Sequence, residues 1–125
     1  MTGAFVVGGV IALALAIVGA LALIAPNVIA EAYGLHADGD AARGFVRATG
    51  IRDIVIGLIL AAAIYFRDLP LLIVVAIGGI VLSLTDLVIA YHAGGRRLGR
   101  PHAVHFSGAV AFVLVLAMAL LAIGR

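Results

Sequence analysis

The sequence predicts an all-α protein, a four-helix transmembrane bundle. Three observations carry that expectation. The 125 residues are 66% hydrophobic and only 11% charged, a balance that leaves a water-soluble domain of this size too little polar surface to cover itself. The apolar residues fall into four long blocks, not into the narrow stripes of helices turned toward an aqueous core. No run of period-two alternation marks out the strands of a membrane β-barrel. A single integral membrane domain over residues 1–125 is therefore expected.

The first block covers about residues 5–25 and holds no charge. At about 1.5 Å per residue it is long enough to cross a hydrocarbon core of about 30 Å. Pro26 and Asn27 punctuate its end. The second block covers about residues 42–66, with Asp40 placed to cap it. The third covers about 69–91 and the fourth about 102–123, and Pro70 and Pro101 stand where a first-turn proline sacrifices no hydrogen bond. Met1 to Phe5 carries no basic residue, and the first apolar run exceeds the core of a cleaved signal peptide, so it is expected to be retained as a span.

Four spans put both termini on one side. The connections 28–41 and 92–100 then share the other side, where Arg43, Arg47, Arg96, Arg97 and Arg100 lie, against Arg67 and Arg125 on the terminal side. The excess of arginine places these two connections in the cytoplasm and both termini outside a cell membrane. Tyr33, Tyr65, Phe66 and Tyr91 fall near the proposed interfaces. The basic 96–100 stretch reads as an anchor to anionic headgroups, and it is too short for a nucleic-acid patch, so nucleic acid is not an expected partner.

The informative residues are the charges inside the spans. Arg52 and Asp53 lie in the middle third of the second block, and Asp86 about one and a half turns inside the third. Ionisable groups at such depth face protein or a water-filled cavity, because lipid leaves them unsatisfied. Asp53 shares a helical stripe with Gly50, Gly57 and Ala61, and Asp86 shares one with Gly79, Ser83 and Ala90. Small stripes let helices approach closely; the first span has a wholly apolar one in Gly8, Ala12, Ala16 and Gly19.

The fourth span brings His105 to the same half of the bundle, with His102 and Ser107 beside it, while His102 follows Pro101 and is expected at the surface. The expected cavity opens toward the loop side or is capped by it. Its walls would be Arg47, Arg52, Asp53, Asp86, His92 and His105, with Gly50, Gly57 and Ser83 leaving space. Binding is assigned to Arg47, Arg52, Asp53, Ser83, Asp86 and His92, and any catalysis to Arg52, Asp53, Asp86 and His105. The alternative is that arginine and aspartate merely fasten the helices. The histidines and carboxylates form no metal-ligand motif, and the spacing of His92 and His105 does not call for haem, so no cofactor is expected.

The segment Gly50-Ile51-Arg52-Asp53, followed by Gly57 and preceded by Ala42-Arg43-Gly44-Phe45-Val46-Arg47, resembles a family of small bacterial and fungal four-span membrane proteins known chiefly as a domain of unknown function. The resemblance extends over nearly the whole chain. It implies a helical membrane bundle akin to the DoxX-like membrane proteins and a shared role for Arg52 and Asp53, without an activity to transfer.

Three function classes follow. The favoured one is a membrane-embedded binding protein or small enzyme acting on a small amphiphilic molecule, with isomerase-like or lyase-like proton transfer as its chemistry. A small proton-coupled transporter is the second, and a structural or accessory subunit the third. Membrane lipid is the expected surrounding partner, and a homodimer is compatible with the small-residue faces. A reporter fused after Arg125 is expected to read out an external position; a cytoplasmic readout reverses the topology.

Overall fold

The computed structural model describes residues 2–33, 38–93 and 100–124. Among them are five helices: α1 (Thr2–Ile24), α2 (Pro26–Ala32), α3 (Gly39–Tyr65), α4 (Leu69–Ala93) and α5 (Arg100–Ile123). α1, α3, α4 and α5 are each long and apolar enough to span a bilayer. The basic connection at Arg96 and Arg97, the side chain of Arg100 and the C-terminal Arg125 lie outside the described residues.

The helix ends follow from local chemistry. α1 closes with Ala25 N donating to Leu21 O at 2.7 Å, and Pro26, lacking an N–H, starts a new helix instead of extending the old one. The stretch expected to be a plain connection thus contains α2, which ends as Tyr33 N donates to Ile29 O and Ala30 O. α3 begins at Gly39, with φ +85°. Asp40 is therefore not the cap but a first-turn residue, its carboxylate held 2.8 Å from Arg43. Between α3 and α4 the chain reverses in three residues. Asp68 N donates to Ala63 O and Arg67 N to Ile64 O, with Arg67 in the left-handed region at φ 53°. Asp68 then caps α4 by accepting from Leu71 N at 2.9 Å.

The four long helices form a ring in the order α1, α3, α4, α5, with two tight pairs, α1 with α3 and α4 with α5. Among the described residues no close backbone approach crosses either diagonal. Lipid supplies no hydrophobic force between helices, so tight pairing depends on van der Waals contact between backbones. A Cβ at Gly19 would lie 2.5 Å from Gly50 O, and one at Gly50 would lie 2.6 Å from the Ala22 Cβ. Gly79 lies under the Phe112 ring, where a Cβ would come to 2.5 Å. Two members of the expected stripes are displaced: Ala16 and Ala61 are exposed. The contact line on α3 steps three residues from Gly57 to Leu60, not four to Ala61. On α1 the backbone near Ala16 meets Gly57 while its methyl group does not.

One end of the bundle is a packed apolar plug in which Leu60, Leu72 and Val115 have no exposed surface, surrounded by Ala4, Ala63, Ala76 and Ala119. The other end is held by Ala22, Ile29, Ala30 and Val46, where α2 wedges against α1 and α3. Large side chains such as Val10, Leu58, Val81 and Leu121 face outward, as a lipid-facing surface requires. Gly50→Val is expected to force α1 from α3 and destabilise the protein by about 1–3 kcal/mol. Gly78→Ala, at a position with open space around it, is expected to leave the midpoint of thermal or denaturant unfolding in micelles unchanged.

Candidate functional site

Between the two tight pairs, above the apolar plug, lies a half-open cavity of about 300 Å³. It occurs where it does because the helices pair closely two by two and leave the middle of the ring unfilled. α3 contributes Arg52, Asp53 and Ile56; α4 contributes Gly79, Leu82, Ser83 and Asp86. α5 supplies His105, Ser107 and Gly108 with Phe112 below them, and α1 supplies Ile11, Leu15 and Val18. Tyr33, just past α2, completes the wall.

Arg52 organises the polar part. Its Nη2 donates to Asp86 Oδ2 at 2.8 Å and its Nη1 to Asp86 Oδ1 at 3.3 Å, a two-pronged bond from α3 to α4. Its Nε and Nη2 both donate to Asp53 Oδ1 at 3.3 Å. Asp53 is buried, whereas Arg52 and Asp86 keep part of their surface open. One arginine therefore holds two carboxylates, which is how charges persist inside an apolar bundle.

His105 faces this network from α5, with its ring 4.9 Å from that of Tyr33 at 48°. Tyr33 lies outside the spans, and its phenol is pushed up to about 12, first by burial and then by the charge of Asp53, with Asp86 adding and Arg52 opposing. Tyr33 had been expected among the interfacial aromatics. It also lines the cavity, because α2 folds back over the end of the ring, and the run of residues from Val28 onward gives no periodic signal of that fold.

The structure separates the proposed site residues. Arg52, Asp53, Ser83, Asp86 and His105 meet at the cavity; Arg47 and His92 do not. Arg47 precedes Asp53 by six residues and His92 follows Asp86 by six, a spacing that turns each about a third of a revolution off the cavity face. Arg47 is exposed and donates from Nε to Leu23 O at 3.3 Å, satisfying a carbonyl at the end of α1. His92 is exposed, with its ring edge-on to Tyr91. Gly50 and Gly57 leave no space in the cavity, since both are filled by the backbone and side chains of α1. Gly79 and Gly108 line the cavity, but Gly79 is covered by the Phe112 ring and Gly108 by the Ser83 side chain, so the space comes from the wide seams between the helix pairs. His102 is buried against Tyr91, not at the surface, with ring centroids 5.9 Å apart. Among the described residues no three of His, Asp and Glu converge as a metal-binding group.

Helix length, composition and the enclosed charge network define a multi-pass membrane protein of four apolar helices around a polar centre. Residues 12–121 match the family described as Domain of unknown function (DUF4267), and the chain belongs to that family. No curated protein and no solved structure matches it.

The raised phenol makes a pH prediction. In the unfolded chain tyrosine ionises near 10, so Tyr33 stabilises the fold fully below about pH 10 and loses that contribution as pH climbs toward its folded value of about 12. Ultraviolet titration of tyrosinate in micelles is expected to show one late-ionising tyrosine, which Tyr33→Phe removes.

Proposed function

We propose that the protein binds a small amphiphilic molecule in the cavity between its helix pairs and takes it directly from the surrounding lipid. The observation that carries this reading is the cavity itself. A charged and hydrogen-bonding wall (Arg52, Asp53, Asp86, His105 and Tyr33) stands over an apolar floor (Ile11, Leu15, Ile56 and Phe112). Such a pairing suits a ligand with a polar head and an apolar body. Ala14, Val104 and Ser107 line the cavity and are exposed, so the looser seam between α1 and α5 offers an entrance that faces lipid. Turnover, where it accompanies binding, is expected as proton transfer by Asp53 or Asp86 with His105, in an isomerisation or elimination.

The apolar plug weighs against a through-path for a transporter in a single bundle, since Leu60, Leu72 and Val115 fill the opposite end. A purely structural role has one observation in its favour: the Arg52–Asp86 bond spans the looser α3–α4 seam. We place the 28–41 and 92–100 connections in the cytoplasm of a cell membrane, supported by the arginine excess there. The kinship with DoxX-like membrane proteins belongs to the same proposal, supported by the bundle of four long apolar helices.

Native mass spectrometry of gently extracted wild-type protein beside Asp53→Asn tests the binding reading and also reports whether one copy or two is extracted. A discrete small molecule carried by the wild type and lost in the variant is expected. Bulk lipid alone in both, with the variant merely less stable, would leave the network as a helix fastener.

A further inference from the structure

The charges that line the cavity do not balance. Among the described residues Arg52 is positive, Asp53 and Asp86 are negative, and no other arginine, aspartate or glutamate lines the wall; the chain contains no lysine. Arg52 is also nearly exhausted as a donor. An arginine side chain has five N–H groups, and four are engaged by the two carboxylates. Every bond that Asp53 accepts among the described residues ends on Oδ1, so Oδ2 of this buried carboxylate keeps its lone pairs for a ligand. The field at Tyr33 has the same sign, since both aspartates hold its proton on and only Arg52 opposes them.

We infer that the head of the cavity's ligand is a protonated amine, held by the carboxylates of Asp53 and Asp86, and that the cavity discriminates against carboxylates and other anions. This inference deepens the binding reading proposed above and rests on it. An unbalanced negative charge in a low-dielectric cavity is stabilised by a cation and destabilised by a second anion. A primary ammonium brings three donors and no acceptor, which complements a wall rich in carboxylate oxygen and short of free N–H. The rings of Tyr33 and Phe112 also line the cavity, and aromatic faces tolerate a cation where they exclude water. The volume of about 300 Å³ is at the lower end for ligand sites, so the enclosed part of the ligand is its head and a short apolar stretch.

Three probes that share one tail and differ in head test this: n-octylamine, n-octanol and n-octanoate, titrated calorimetrically at neutral pH into the full chain in nanodiscs of zwitterionic lipid, with empty nanodiscs subtracted. Octylamine is expected to bind about tenfold tighter than octanol, with octanoate weakest. Asp53→Asn is expected to bring the amine and the alcohol level, and Asp86→Asn, which removes the same charge from a different helix, to do the same should the first variant not fold. Octanoate binding as tightly as octylamine overturns the charge inference while the binding reading stands, as does an amine preference unchanged in the variants. Absence of saturable binding by all three removes the binding reading as well.

Discussion

A charge inside a bilayer must bring its own solvation, and much of this bundle follows from meeting that demand at one place. Arg52 serves as the solvent for two carboxylates, one beside it on α3 and one across the ring on α4. An ion pair of this kind needs room for a guanidinium between two helices, so the α3–α4 seam cannot close as tightly as an alanine and glycine seam does. The separation of the helices near Arg52 is thus set by an electrostatic group, and the packing elsewhere accommodates it.

That accommodation is visible in how unevenly the helices approach one another. Where no charge intervenes, α1 and α3 come together until Gly19 meets the Gly50 carbonyl, and α4 receives the Phe112 ring of α5 over Gly79. These contacts leave the two remaining seams wider and the middle of the ring unfilled beside the charges, while Leu60, Leu72 and Val115 fill it at the other end. Cavity and plug are two outcomes of one rule. Large apolar side chains fill the ring at one end, and the space between the helix pairs stays open beside the ion pair at the other.

The four spans and their antiparallel order were legible in the sequence because long apolar blocks in so short a chain admit few other folds. Depth was legible too: Arg52, Asp53, Asp86 and His105 meet as their positions along the helices imply. Azimuth was less so. Arg47 and His92 lie about 9 Å along their helices from Asp53 and Asp86 and point away from the cavity, and stripe logic alone did not distinguish Leu60 from Ala61 as the next residue inward. α2 was illegible for a different reason, since seven residues beginning with a proline carry too little periodicity to announce a helix. The place of Tyr33 in the cavity wall was hidden along with it, because it depends on how α2 folds back and not on any pattern within a span.

The short reversal at Phe66, Arg67 and Asp68 has a mechanical consequence. It ties α3 to α4 at the apolar end with two backbone bonds and a side-chain cap, while Arg52 and Asp86 join the same helices far from that end. From Arg52 to Phe66 is fourteen residues, a lever of about 21 Å. A pivot of roughly 5° at the turn changes the spacing at the ion pair by about 2 Å, enough to exchange a direct bond for one bridged by a ligand or a water. The α3–α4 hairpin is built like a pair of tweezers, joined at the turn and held midway along its arms by a bond whose length a guest can reset.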